Sequence, residues 1–343
     1  MTTSVQSHEN LPYPVLVADI GGTNARFGIL TDAHAELKEF QTAQTADYVG
    51  LEDAAEAMVL SRTATTPRSA VLAVAGPISG DEVPLTNCDW VIRPNALMEA
   101  LQLDEVVLVN DFEAQSLALP SLRDDDFELI GDVEMAATGT KVVLGPGTGL
   151  GAAGMIHTGA LWVPVPGEGG HIDLGPVTED EFELWPHFEK EHGRISAEAL
   201  LCGRGLVRLY KGVASWRNRP VIFDGPSEIT SAALAGSDET AKEALDIFCR
   251  LLGRVAGNLA IAFMATGGVY LAGGISKKIA GFLAESDFRA AFIAKAPHEE
   301  LMNTMATAVI THEKPALLGL AAFARTPQLF GVDLNGRRWR SGE

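Results

Sequence analysis

Apolar runs broken by glycine turns organise this chain. Val15-Leu16-Val17-Ala18 leads into Asp19-Ile20-Gly21-Gly22-Thr23-Asn24-Ala25-Arg26, and Phe27-Gly28-Ile29-Leu30 leads out. Runs of that length, bounded by glycines, predict two short buried strands joined by a tight turn. A third strand is expected near residues 38–42. Leu51, Ala54, Ala55, Met58 and Val59 then fall at helical spacing and predict a helix over 51–61. Residues 69–74 read as a buried strand closed by Ala75-Gly76-Pro77, and the polar loop Leu85-Thr86-Asn87-Cys88-Asp89-Trp90 follows. A helix is predicted over 94–101, with proline in its first turn. Residues 106–109 form another continuous apolar run that stops at Asn110-Asp111, and 112–119 has helical character.

A second strand–turn–strand unit appears in Val142-Val143-Leu144, Gly145-Pro146-Gly147-Thr148-Gly149-Leu150-Gly151 and the apolar residues 152–156. Its likeness to the opening hairpin predicts two related domains facing each other across a cleft. The loop over 164–171 is too rich in glycine and proline to read as helix or strand. An acidic helix is expected from Glu179, and Ser196-Ala197-Glu198 opens another through Leu201. A long helix is predicted over 238–264. A strand from Val269 then ends in Gly273-Gly274 and feeds a helix, and a last apolar helix covers 315–324. The expected organisation is a lead-in at 1–13, a small α/β domain at 14–121 with 314–330, a large one at 122–313, and a basic tail at 331–343. The fold class is α/β, with mixed sheets covered by helices.

Composition narrows the class. The chain has 343 residues, 47% of them hydrophobic and 21% charged, and a net charge of −19. That balance builds a core and argues against nucleic acid or an anionic membrane as partner. No run of 18 apolar residues occurs, and the first fourteen residues lack the basic and apolar regions of a secretion signal. Cys88, Cys202 and Cys249 are far apart and read as free thiols, Cys249 as a small hydrophobe within a helix. Arg337-Arg338-Trp339-Arg340 reads as a solvated tail. The expected location is cytoplasmic.

The glycine turns carry the first chemistry. Neither has the Lys of a nucleotide-binding P-loop, and both lead into strands where a dinucleotide fingerprint needs a helix. What remains is a pair of hairpin turns whose backbone N–H groups can hold phosphate, with Thr23 and Thr148 as hydroxyl donors. Asp111 stands at the C-terminal end of a buried strand, where open α/β sheets bind ligands. It suits a general base for phosphate transfer, and on its own it suits the commoner role of a helix N-cap, with which the first is compatible. Glu168 and His171 sit in a glycine-flexed loop better suited to sugar hydroxyls than to a metal. By position alone, Glu198 does no more than complement a helix dipole.

Taken together, Asp-Ile-Gly-Gly-Thr-Asn-Ala-Arg, Leu-Thr-Asn-x-x-Trp, Asn-Asp-Phe, Gly-x-Gly-Thr-Gly-Leu-Gly, Pro-Gly-Glu-Gly-Gly-His and Ala-Gly-Gly-Ile resemble the bacterial glucokinase family over residues 15–324. The resemblance implies an actin-like (ribonuclease-H-type), hexokinase-type fold and transfer of the ATP γ-phosphoryl to the 6-hydroxyl of glucose. It makes Asp111 the base and assigns Asn110, Glu168, His171, Glu198, Thr86 and Asn87 to the sugar. Asp19, Gly21, Gly22, Thr23, Asn24, Gly147, Thr148 and Gly149 would serve the nucleotide phosphates, and Gly273 and Gly274 would border the adenosine. Mg²⁺ would be held by Asp19 through water. A related sugar-kinase branch carries a cysteine-rich zinc motif after its sugar-binding His; this chain lacks it, so no zinc is expected. Glucose and ATP are the expected partners, and a homodimer is compatible with the resemblance.

Two other classes share the hairpins. An ATPase switch of the actin or heat-shock type gives no reason for the Glu168–His171 loop. A sugar-responsive regulator needs a DNA-binding module, for which fourteen polar residues leave no room.

Overall fold

The computed structural model describes residues 9–342. The chain divides into two compact units. One runs to Leu122 and takes in Met155–Pro166 and the chain from Glu313; the other comprises Arg123–Gly154 and Gly167–His312.

In the first unit the sheet order is Arg338–Arg340, Glu105–Asn110, Ser69–Val74, Val15–Ile20, Asn24–Leu30 and Lys38–Glu39. The Val15–Ile20 strand pairs antiparallel with Asn24–Leu30 across the first glycine turn, and parallel with Ser69–Val74. Ser69–Val74 in turn pairs parallel with Glu105–Asn110. Val15, Val17, Val71 and Val107 are fully buried, as are Ala18, Leu72 and Leu108 on the opposite pleat. The central strands are therefore covered on both faces, which explains their unbroken apolar runs.

The second unit repeats this order. From the start of Leu150–His157 the sheet passes through Lys141–Pro146, Val269–Leu271, Thr307–Ile310 and Phe127–Leu129. Lys141–Pro146, Val269–Leu271 and Thr307–Ile310 run parallel. In each sheet, then, the strand entering a glycine turn has its hairpin partner on one side and two parallel strands on the other. The 25-residue helix Glu239–Phe263 buries Leu245, Phe248, Leu252 and Val255 in the core of this unit. It begins where Asp238 accepts a hydrogen bond from Ala241 N at 2.7 Å, the usual service of an N-cap carboxylate.

Several sequence expectations change. The third strand breaks into Lys38–Glu39 and Ala43–Gln44. The glycine- and proline-rich loop contains a strand, Trp162–Gly167, followed by a 3₁₀ turn at Gly169–His171. Trp162–Gly167 ends its sheet, and Pro164 and Pro166, two apart, lack N–H groups on the same side; an edge strand tolerates that. Within the basic tail, residues 337–340 are half-buried, and the last three form a strand where a solvated segment was expected. Arg338–Arg340 pairs antiparallel with Glu105–Asn110, which brings Arg338 and Arg340 to the buried carboxylate of Glu105 and Arg337 to that of Glu113. Residues 1–8 of the expected lead-in lie outside the described residues. Of the remainder, Leu11 is buried, and the Tyr13 hydroxyl donates to Ala324 O at 2.8 Å, so the chain is docked before residue 14. Among the described residues no helix is long and apolar enough to cross a membrane.

Candidate active site

The first glycine turn is closed by Gly21 N donating to Asn24 O at 2.9 Å. It is fastened from outside: Thr45 N donates to Thr23 O at 2.9 Å, Thr45 Oγ1 to Gly22 O at 3.0 Å, and Gln44 Nε2 to Asn24 Oδ1 at 2.8 Å. Gly22 lies against the polar loop so closely that a Cβ there would stand 2.9 Å from Asn87 O and 3.1 Å from Thr86 O. Thr86 and Asn87 are thus neighbours of the turn, with Asn87 in the left-handed region at φ 59°. Asp19, just before the turn, accepts from Arg26 Nη1 at 2.9 Å and keeps 14% of its side-chain surface exposed. Burial raises its carboxyl above the ordinary Asp value, against the opposing charge and hydrogen bond of Arg26.

Asn110-Asp111 shares this edge of the sheet. Ile20, Val74 and Asn110 stand in register across three parallel strands. At about 4.8 Å per strand, the chain leaves the sheet toward Asp111 roughly 10 Å from where it leaves toward the glycine turn. Asn110 caps the Asp111–Ala118 helix, accepting from Phe112 N at 2.9 Å, and Glu113 closes the capping box by accepting from Asn110 N at 3.3 Å. Asn110 holds the cap position, and Asp111 is the first helical residue, its Oδ1 accepting from Phe112 N at 2.9 Å. The positive end of the helix dipole lies beside its carboxylate.

In the second unit, Gly147 N donates to Gly149 O at 2.8 Å, and Gly147 O accepts from Gly203 N at 2.9 Å. Ala272 N donates to Leu144 O at 2.9 Å, which sets Gly273 against this turn; a Cβ on Gly273 would lie 2.5 Å from Pro146 O. A cavity of about 670 Å³ opens here, lined by Gly147, Thr148, Gly203, Arg204, Asp224, Ser227, Gly274 and Lys278 among others. Gly147, Thr148 and Gly274 therefore meet at one pocket. Arg204, Ser227 and Lys278 escaped notice. They belong to three helices whose starts converge only in the fold: Gly203–Trp216, Pro226–Ala235 and Gly273–Lys278.

Leu150 links this turn to the remaining candidates. Its N–H donates to Glu198 Oε2 at 2.8 Å, a contact that helix-dipole reasoning does not supply. Its carbonyl packs so near Gly170 that a Cβ there would stand 1.9 Å away. Glu168 and His171 bracket Gly170, exposed, with Glu168 Oε2 3.7 Å from His171 Nε2. Arg194 holds the loop from below, donating to His171 O and, at 2.5 Å, to Asp173 Oδ1. Cys88, Cys202 and Cys249 are free thiols, and burial pushes Cys249 up to about 12.

Two sheets of like order, each with a glycine turn leaving the C-terminal edge of its parallel strands, define an actin-like fold of the hexokinase type. A family model described as Glucokinase matches residues 16–327. The chain is 54% identical over 330 residues to the glucokinase of Rhizobium johnstonii, covering 96% of this chain and 97% of that protein. It is likewise 54% identical over 332 residues to that of Mesorhizobium japonicum, with 97% of both covered. The crystal structure of a glucokinase from an Antarctic psychrotroph superposes with a TM-score of 0.82 at 33% identity, over 90% of this chain and 98% of that one. The chain belongs to the glucokinase family.

Proposed function

We propose that this protein transfers the γ-phosphoryl of ATP to the 6-hydroxyl of D-glucose, giving glucose 6-phosphate and ADP, with Asp111 as general base. The observation that carries the reading is the register of Ile20, Val74 and Asn110. It sets a carboxylate and a phosphate-type turn on one edge of one sheet. Phosphoryl transfer asks a protein chiefly for positioning and charge stabilisation. Asp111 accepts the hydroxyl proton as the oxygen attacks phosphorus, and the adjoining helix N-terminus keeps it ionised until then.

Gly21 and Gly147 close the two turns with their own N–H groups, and the backbone amides of Gly22, Thr23 and Asn24, and of Thr148 and Gly149, hold the phosphates. The cavity beside Gly273 and Gly274 takes the nucleoside, with Arg204 and Lys278 supplying positive charge at its wall. Asn110, Glu168, His171 and Glu198, with Thr86 and Asn87, recognise the sugar. A hydroxyl needs both a donor and an acceptor, and this set offers both. Asp19 fits Mg²⁺, because a partly accessible single carboxylate suits a cation that keeps most of its waters. Bound there, the ion would neutralise phosphate charge. An ATP-consuming kinase works where ATP is, so the cytoplasm is the proposed location.

A panel of hexoses assayed with ATP and with polyphosphate tests the reading. Formation of glucose 6-phosphate from glucose and ATP, ahead of the other pairs, is expected. A steady ATPase rate indifferent to any hexose would contradict it.

A further inference from the structure

The family match ends at residue 327, and the segment beyond it is built into the sheet that carries Asp111. Arg338–Arg340 lies antiparallel to Glu105–Asn110, with Leu108 N donating to Arg337 O at 2.9 Å. At this point Arg337 turns inward. Its Nη1 donates to Glu113 Oε2 at 2.6 Å and its Nη2 to Glu113 Oε1 at 3.4 Å, while Nη2 also reaches Asp333 O. Glu113 is 1% exposed, so this carboxylate is charged only where a cation accompanies it. The same Oε2 accepts from Asn110 N at 3.3 Å, satisfying a helix-start donor that has no partner within the helix.

We propose that Arg337 is a positioning residue for phosphoryl transfer, acting through Glu113 to fix the strand–helix junction that presents Asn110 and Asp111. The proposal rests on Asp111 being the base. A bidentate guanidinium sets both the orientation and the charge of the carboxylate it grips. The grip passes along four groups: the C-terminal strand anchors Arg337, Arg337 orients Glu113, Glu113 holds the Asn110 amide, and Asp111 is the next residue. Arg340 makes a separate contact, its Nε donating to Glu105 Oε2 at 3.3 Å at the far end of the strand. It therefore serves as a control that loosens the strand and leaves the junction held.

The test compares full-length R337M, R337K, R340A, D111N and D111N/R337M by melting temperature and by steady-state kinetics below the lowest melting point. R337M is expected to lose roughly 10–100-fold in kcat, the scale for a misplaced catalytic group, with KM for ATP within about twofold and some rise in KM for glucose because Asn110 is displaced as well. R337K, which offers one ammonium in place of the fork, recovers part of that loss. R340A melts lower and keeps its kcat. D111N/R337M turns over no more than about twofold slower than D111N, because Arg337 acts through a group already removed.

Wild-type kcat in R337M overturns the proposal, as do losses that multiply in the double variant. A near-wild-type D111N sinks the assignment of Asp111 itself, and this proposal with it. A slow D111N beside a wild-type R337M sinks only the role of Arg337. If R337M fails to fold, E113Q carries the test: it keeps the shape and an acceptor for Asn110 N but loses the charge. Reduced kcat is expected there, and wild-type kcat overturns the proposal.

Discussion

Gly273 is the position where backbone geometry and the proposed nucleotide site are most tightly joined. Its φ of 85° lies in the left-handed region, and a Cβ would stand 2.5 Å from Pro146 O. Gly273→Ala therefore carries two penalties. Holding a residue with a Cβ at that φ costs about 1–2 kcal/mol. Opening the contact by roughly 1 Å to ordinary separation, against backbone that cannot rotate away, costs on the order of 1–3 kcal/mol more. The sum, roughly 2–5 kcal/mol, should lower the melting temperature by on the order of 5–10 °C. The displacement falls between Pro146 and Gly273, and both neighbouring segments line the cavity assigned to the nucleotide. KM for ATP should then rise about 10-fold or more, while KM for glucose changes little. Steady-state rates with ATP varied at saturating glucose, below the melting point, supply the readout. A variant that melts lower yet keeps its KM for ATP would refute the placement of the nucleotide here. One that melts as wild type would refute the strain.

Glu168→Gln should raise KM for glucose with a smaller effect on kcat; an unchanged KM would remove the Glu168–His171 loop from the sugar site. Glu181 is 1% exposed and accepts from Arg254 Nη1 at 2.7 Å and Arg250 Nε at 3.2 Å. Burial works to raise its carboxyl, but the hydrogen bonds from Arg254 and Val177 N and both Arg charges outweigh it and hold the group below 4.5. A lowered folded-state value stabilises the protein above 4.5 and loses that contribution as pH falls through the lower value. Glu181→Ala should cost on the order of 3–5 kcal/mol at neutral pH, because two cations are left without their buried partner. Its melting temperature should also fall less steeply than wild type between pH 5 and pH 3, and parallel curves would count against this pairing.

Much of the fold could be read from local pattern. Both glycine hairpins, the buried parallel strands and the 239–263 helix have periods and caps that show within a dozen residues. What escaped is what the fold assembles from a distance. Arg337 to Arg340 look like a solvated tail until Glu105 and Glu113, more than 200 residues earlier, are seen to be buried beside them. Glu198 reads as a dipole partner until Leu150, 48 residues away, is found to donate to it. Arg204, at the start of one helix, and Lys278, at the end of another, line one cavity although 74 residues separate them. Pro164 and Pro166 suggest a loop because composition does not report which side of a strand faces an edge. For Asp111, Glu168 and His171 local position suggested a role that motif resemblance sharpened, whereas the role of Glu198 came from motif resemblance alone. Of these residues, the structure ties Glu198 to the second glycine turn and Asp111 to the edge of the first.

The central claim is that Asp111 takes the proton from the sugar hydroxyl. Asp111→Ala, assayed for glucose 6-phosphate formation at saturating ATP and glucose, tests it most directly. Its kcat should fall by about 10²–10⁴-fold, the range for losing a general base, with a modest change in KM. Turnover near that of the wild type would contradict it.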